Sequence, residues 1–172
     1  MAMDQKNIVG DAVADGARAL GRGAWEEARG LFESALESGE SAAAWEGLGW
    51  AGWWLGDAEL TFRAREQAYR AYRAVEDDCS AGRVAAWLAA DFLEFRGEDA
   101  VARGWFERAH RLLDGLPECA DHGWLALHEG SFVLGGGDLE AVAVLAALAV
   151  RLGRELAVGS SSSGMTPPRM SA

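Results

Sequence analysis

The sequence predicts an all-α protein of antiparallel helical hairpins, and three observations carry that prediction. Apolar residues recur at helical spacing from Ile8 to Leu156, β-branched residues are sparse, and no alternating strand pattern appears. The three prolines, Pro117, Pro167 and Pro168, stand at one junction and near the C-terminus, clear of every helical stretch. Helix breakers arrive at a regular beat: "GRGAWEEA" at 21–28, "LGDAEL" at 55–60, "RGEDAVA" at 96–102 and "GGGDLEA" at 135–141. Each reads as a helix ending on glycine and the next beginning with an acidic or small residue, which suits a left-handed terminal position followed by a positively polarised helix start.

Gly23, Gly56, Gly97 and Gly137 as equivalent positions give spacings of 33, 41 and 40 residues, the signature of a repeated helical unit. In chain order, the breakers and caps predict helices over 5–21, 24–38, 41–55, 57–76, 80–96, 98–114, 118–134 and 138–156. Together they form one repeat domain over 5–156. After Val158 the run "GSSSSGMTPPRMSA" has neither periodicity nor apolar anchors, so residues 157–172 are expected to form a flexible tail.

Within the hairpins, "AWEEARGLFESAL" places Ala28, Phe32 and Ala35 at i, i+4 and i+7, and "AVARGWFERAHRLL" repeats the pattern with Ala102, Phe106 and Ala109. The helix before the second turn supplies Trp45, Leu48 and Gly49 as W-x2-L-G. These residues resemble the tetratricopeptide repeat, in which small side chains let two helices cross closely and an aromatic fills the space beside them. The second repeat departs from the pattern with Thr61 and Arg65, and the fourth, with Val142, Ala146 and Ala149, lacks the aromatic. The resemblance implies a short right-handed α-solenoid. The longer spacings, with "AREQAYRAYRAVEDD" and "HRLLDGLPECADHG" between hairpins, are similar to the repeat regions of large LuxR-type bacterial transcriptional regulators.

The net charge of −11 disfavours direct nucleic-acid binding and suits a basic partner. Two cysteines, Cys79 and Cys119, are too few for a disulfide framework. They fall in the turns between hairpins two and three and hairpins three and four, and stacking would set those turns along one edge, where the thiols can approach. No basic stretch followed by an apolar run opens the chain, and the most apolar segment, 139–150, is short for a bilayer and carries Glu140. A cytoplasmic protein without membrane contact is expected. The last helix, with Leu139, Val142, Val144, Leu145, Leu148 and Leu152, is apolar nearly all round and is expected to pair with a second subunit, as a homodimer, or with a missing segment.

No catalytic constellation stands out. "GGG" at 135–137 is followed by Asp138 and Glu140, which puts acid where a phosphate would sit. Cys119 and His122 have C-x2-H spacing, with Glu118, Asp121 and His128 near, but no second close-spaced cysteine, so no metal site and no cofactor are expected. Arg63, Arg65, Arg70 and Arg73 read as a solvated face paired with acids.

What remains is the tryptophan cluster "WEGLGWAGWWLGD" at 45–57, which holds four of the eight tryptophans. The repeat register assigns Trp45, Leu48, Gly49 and Gly52 to the partner helix and sends Trp50, Trp53 and Trp54 to the concave side. The same count sends Trp87, Asp91, Glu94 and Phe95, then Trp124, Leu127 and Ser131, to that side. The expected function is a non-enzymatic scaffold for protein interaction or ligand sensing. Its partner would be a basic or aromatic protein or peptide, in a groove lined by Trp50, Trp53, Trp54, Trp87 and Trp124 with Asp91 and Glu94 as the acidic rim. Three readings compete with it. The rings are core; the chain is the regulatory arm of a LuxR-type regulator without its DNA-binding domain; or it is a small-molecule binder or enzyme using a tryptophan-lined cavity.

Overall fold

The computed structural model describes residues 2–135 and 137–159. Among them there are eight α-helices and no strand: α1 (Ala2–Gly21), α2 (Trp25–Ser38), α3 (Ala42–Leu55), α4 (Ala58–Ala74), α5 (Asp78–Asp91), α6 (Asp99–Leu113), α7 (Ala120–Gly135) and α8 (Leu139–Gly159). Every helix expected from the sequence forms, within a few residues of the expected ends. One refinement is that α5 runs on into a π-helical turn, Phe92–Arg96. The tail expected over 157–172 lies outside the described residues from residue 160 on, and 157–159 belong to α8.

The helix ends follow the chemistry of the beat. Gly23, Gly56, Gly97 and Gly137 all have positive φ, between 63° and 82°, the region that a side chain makes costly. Beyond the first two, the amides of Ala24 and Asp57 reach back to the carbonyls of Ala19 and Gly52 and close off the helix ends. Acidic or hydroxyl side chains open the next helices. Ser41 Oγ accepts from the Ala44 amide at 3.2 Å, Asp57 Oδ1 from Leu60 at 2.9 Å, Asp77 Oδ1 from Ser80 at 3.0 Å and Asp138 Oδ1 from Ala141 at 3.0 Å.

The chain divides after Ala71 into two compact units. In the first, α2 packs on α1 and α3, and α1 also meets α3. Ala28, Phe32 and Ala35 are fully buried. Phe32 lies where a Cβ on Gly16 or Gly47 would stand, 2.7 and 2.2 Å from its ring atoms, so two glycines create the slot that one aromatic fills. The other side of α3 meets α4, where Gly49 and Gly52 admit Arg65 and Thr61.

In the second unit α5 packs on α6 and α7, and α7 on α8. Ala102, Phe106 and Ala109 are buried as their counterparts are in α2, and Gly82 of α5 leaves room for Leu113. The last helix differs. Ala146 is exposed, Val142 and Ala149 are only half-buried, and Leu152 is fully buried. Leu139 and Val144 stay 69 % and 65 % exposed. No described helix is long and apolar enough to cross a membrane.

Candidate functional site

Of the tryptophans expected to line the groove, Trp50, Trp53 and Trp54 belong to the first unit and Trp87 and Trp124 to the second. In the first unit, α3 is covered by α1 and α2 on one side and α4 on the other, so every residue from Glu46 to Gly52 is buried. Depth there depends on position along the helix as much as on face. This corrects three expectations. Trp50, sent to the concave side by its register, is only 7 % exposed, and the Arg65 guanidinium stands 4.7 Å from its ring centroid. Arg65 itself is buried, so it is no part of a solvated face. Trp45, expected in the core, is half-buried in the first turn of α3, where its indole N–H donates to the Glu40 carboxylate at 2.9 Å.

Trp53 and Trp54, one turn further on, remain half-exposed. Trp54 stacks nearly parallel on Trp25 of α2 at 4.8 Å, and Trp53 meets Trp54 edge-on at 4.9 Å. One face of Trp54 is therefore occupied from within, by a residue outside the quoted cluster.

In the second unit Trp87 (α5) and Trp124 (α7) approach to 5.5 Å, and His128 packs edge-on against Trp87 at 4.2 Å. Asp91, expected on the rim, is 1 % exposed and belongs to the interior. It is the last residue before the π-helical turn, whose wider winding breaks the regular count that placed Asp91 and Glu94 on one face. Glu94, inside that turn, does reach the surface.

Glu94 lines an open hollow of about 880 Å³ in the second unit, with Ala90, Leu93, Asp99, Arg103, His128, Ser131, Phe132, Val133 and Asp138. Its polar groups are unequal in sign: three carboxylates face one guanidinium, and Arg103 lies over the Phe132 ring at 5.0 Å. Glu94 and Ser131, which the repeat register assigned to one side, do meet here. Asp99, Arg103, Phe132 and Asp138 are additions, because they sit on α6, on α7 and in the turn before α8, and no single-helix count joins them. The Ser131 hydroxyl donates to the Leu127 carbonyl of its own helix at 3.1 Å, which turns it away from nucleophilic work.

A third constellation gathers where α5 and α7 begin. Cys79 Sγ lies 3.4 Å from Cys119 Sγ, so the two thiols do approach. Asp121 Oδ2 is 3.2 Å from Cys79 Sγ and accepts from Arg83 at 3.1 Å. His122 Nδ1 is 3.3 Å from Cys119 Sγ. Burial, with Cys119 and Asp121 alongside, holds the Cys79 thiol well above the ordinary thiol range, so as a bare thiol it is a poor nucleophile.

No protein-family model matches the chain, and no curated protein or solved structure does either.

Proposed function

We propose that the protein is a non-enzymatic helical-repeat scaffold, of the right-handed tetratricopeptide-like kind, whose second unit binds a basic peptide segment of a partner protein. The observation that carries this reading is the hollow beside the π-helical turn. Glu94, Asp99 and Asp138 surround an apolar floor of Leu93, Phe132 and Val133, with only Arg103 in opposition. A lysine or arginine side chain would satisfy the carboxylates, while its aliphatic stem covers the floor. An arginine could also share the Phe132 face that Arg103 now occupies. The net charge of −11 would steer such a partner toward the protein and repel acidic ones.

A small organic cation is the second reading, favoured by a volume of about 880 Å³ that falls within the range of small-molecule pockets. Fluorescence polarisation separates the two. A labelled arginine-rich peptide should bind, its glutamate counterpart should not, and Glu94→Gln/Asp99→Asn/Asp138→Asn should weaken binding at least ~10-fold, the loss of about 1.4 kcal/mol. Equal binding of both peptides, or indifference to the triple substitution, would refute the proposal. Arginine methyl ester competing as well as the peptide would move the reading to the small cation.

A further inference from the structure

We infer that Cys79, Cys119 and Asp121 form a binding site for one thiophilic divalent cation, zinc in character. The three groups come from two different stretches. Cys79 lies in the first turn of α5, Cys119 ends the connection that follows α6, and Asp121 opens α7. One atom of each lies within 4.8 Å of the others, and Asp121 is buried.

The spacing is that of a coordination shell. Zinc–sulfur bonds near 2.3 Å and zinc–oxygen or zinc–nitrogen bonds near 2.1 Å, at tetrahedral angles, put ligand atoms about 3.7 Å apart for two sulfurs and about 3.5 Å for sulfur with oxygen or nitrogen. Here the two sulfurs are 3.4 Å apart, and Asp121 Oδ2 stands 3.2 Å and 4.0 Å from them. Shifts of a few tenths of an ångström would admit the ion among these three atoms.

The surroundings orient the ligands as metal sites do. His122 Nε2 lies 3.2 Å from the Leu113 carbonyl, an acceptor, so that nitrogen carries the ring proton, and Nδ1 accepts from the Cys119 backbone N–H at 3.2 Å, which holds the turn that presents Cys119. Arg83 holds the Asp121 oxygen from the outer side at 3.1 Å. Charge closes as well. Two thiolates and a carboxylate carry three negative charges, which a divalent ion and Arg83 balance. Binding releases two thiol protons to solvent and involves no change of oxidation state. A disulfide between the same sulfurs would not use the carboxylate, and the placement of Asp121 Oδ2 3.2 Å from Cys79 Sγ favours the ion. The site would clip the start of α5 to the start of α7 across a span of 40 residues.

The test is titration of the reduced, metal-free full chain with cobalt(II), followed by zinc. The expected result is one cobalt per chain with a thiolate-to-cobalt charge-transfer band and tetrahedral d–d bands, all bleached by one equivalent of zinc. Cys79→Ser and Cys119→Ser should each lose most of that charge-transfer intensity, and Asp121→Asn should weaken zinc at least ~10-fold. Circular dichroism of each metal-free variant checks that it folds, and the wild-type titration stands without them. No charge-transfer band in the wild-type chain, or a band unchanged by Cys79→Ser in a folded variant, would overturn the inference. So would a chain that holds the pair as a disulfide under reductant and takes up no cobalt.

Discussion

The two units use tryptophan in opposite ways. In the first, Trp50 sits inside a helix sandwich beneath a buried guanidinium, and Trp54 has one face taken by Trp25. In the second, Trp87 and Trp124 form a half-buried cluster behind His128, which lines an open, acidic hollow. The residue type is the same, and its neighbours decide its role. Gly47, Gly49 and Gly52 let α2 and α4 close on α3, whereas Glu94, in the π-helical turn after Asp91, stands at the surface. A tryptophan therefore becomes core where glycines bring helices together, and borders a surface where the winding loosens.

The largest expected effect breaks the comparison at Trp50. Trp50→Ala should cost about 3–5 kcal/mol in urea denaturation, because it empties a buried site and removes the ring beneath Arg65. Trp124→Ala, at a half-exposed ring, should cost less than half as much. Equal losses would mean that the two clusters are one kind of structure.

Next comes Gly47→Ala. Its Cβ would stand 2.2 Å from the Phe32 ring, inside a core with no room to yield, for a loss of about 1–3 kcal/mol. Gly30→Ala, in α2 with open space around it, should change sign and stabilise by up to about 1 kcal/mol, the ordinary helix preference for alanine. The pair of thermal midpoints separates close approach from propensity.

The smallest effect is a pH dependence that belongs to the second unit, through His110. A hydrogen bond to Glu129 at 2.7 Å raises the His110 pKa, against a partial burial that lowers it. A raised folded-state value means that the pair stabilises fully below about pH 6.5 and loses that stability as pH rises through the raised pKa. With the His110 ring more than half exposed, solvent screening limits the effect to about 0.5 kcal/mol. His110→Gln should flatten the dependence of the urea midpoint over pH 6–8, and an unchanged slope would place its origin elsewhere.

The helices were legible because their punctuation is local. Gly23, Gly56, Gly97 and Gly137 end helices by backbone conformation alone, and Asp57, Asp77 and Asp138 cap helix starts within three residues. Repeat spacing also set Cys79 and Cys119 in equivalent turns, and their sulfurs lie 3.4 Å apart. Burial at the tryptophans was less legible. Helical periodicity gives a direction around an axis, but Trp45 and Trp50 differ in how far along α3 the neighbouring helices extend. Asp91 was misplaced because the π-helical turn interrupts the count, and nothing in "DFLEFRGED" announces an extra residue per turn. The hollow joins residues from three elements, so it becomes visible only after packing. The group around Cys119 was equally hard to see in the sequence, because the second thiol beside it arrives from 40 positions upstream.

The most direct measurement for the binding proposal is a ¹H–¹⁵N spectrum of the full chain titrated with an unlabelled arginine-rich peptide, resolving backbone amides and all eight indole N–H signals. Binding in the second-unit hollow predicts saturable shifts at Glu94, Asp99, Arg103 and Phe132, with a smaller response at the Trp87 indole through His128. The Trp25, Trp53 and Trp54 indoles should stay fixed. Shifts centred on Trp53 and Trp54 with the hollow silent, or no saturable shifts anywhere, would contradict the assignment of the partner site.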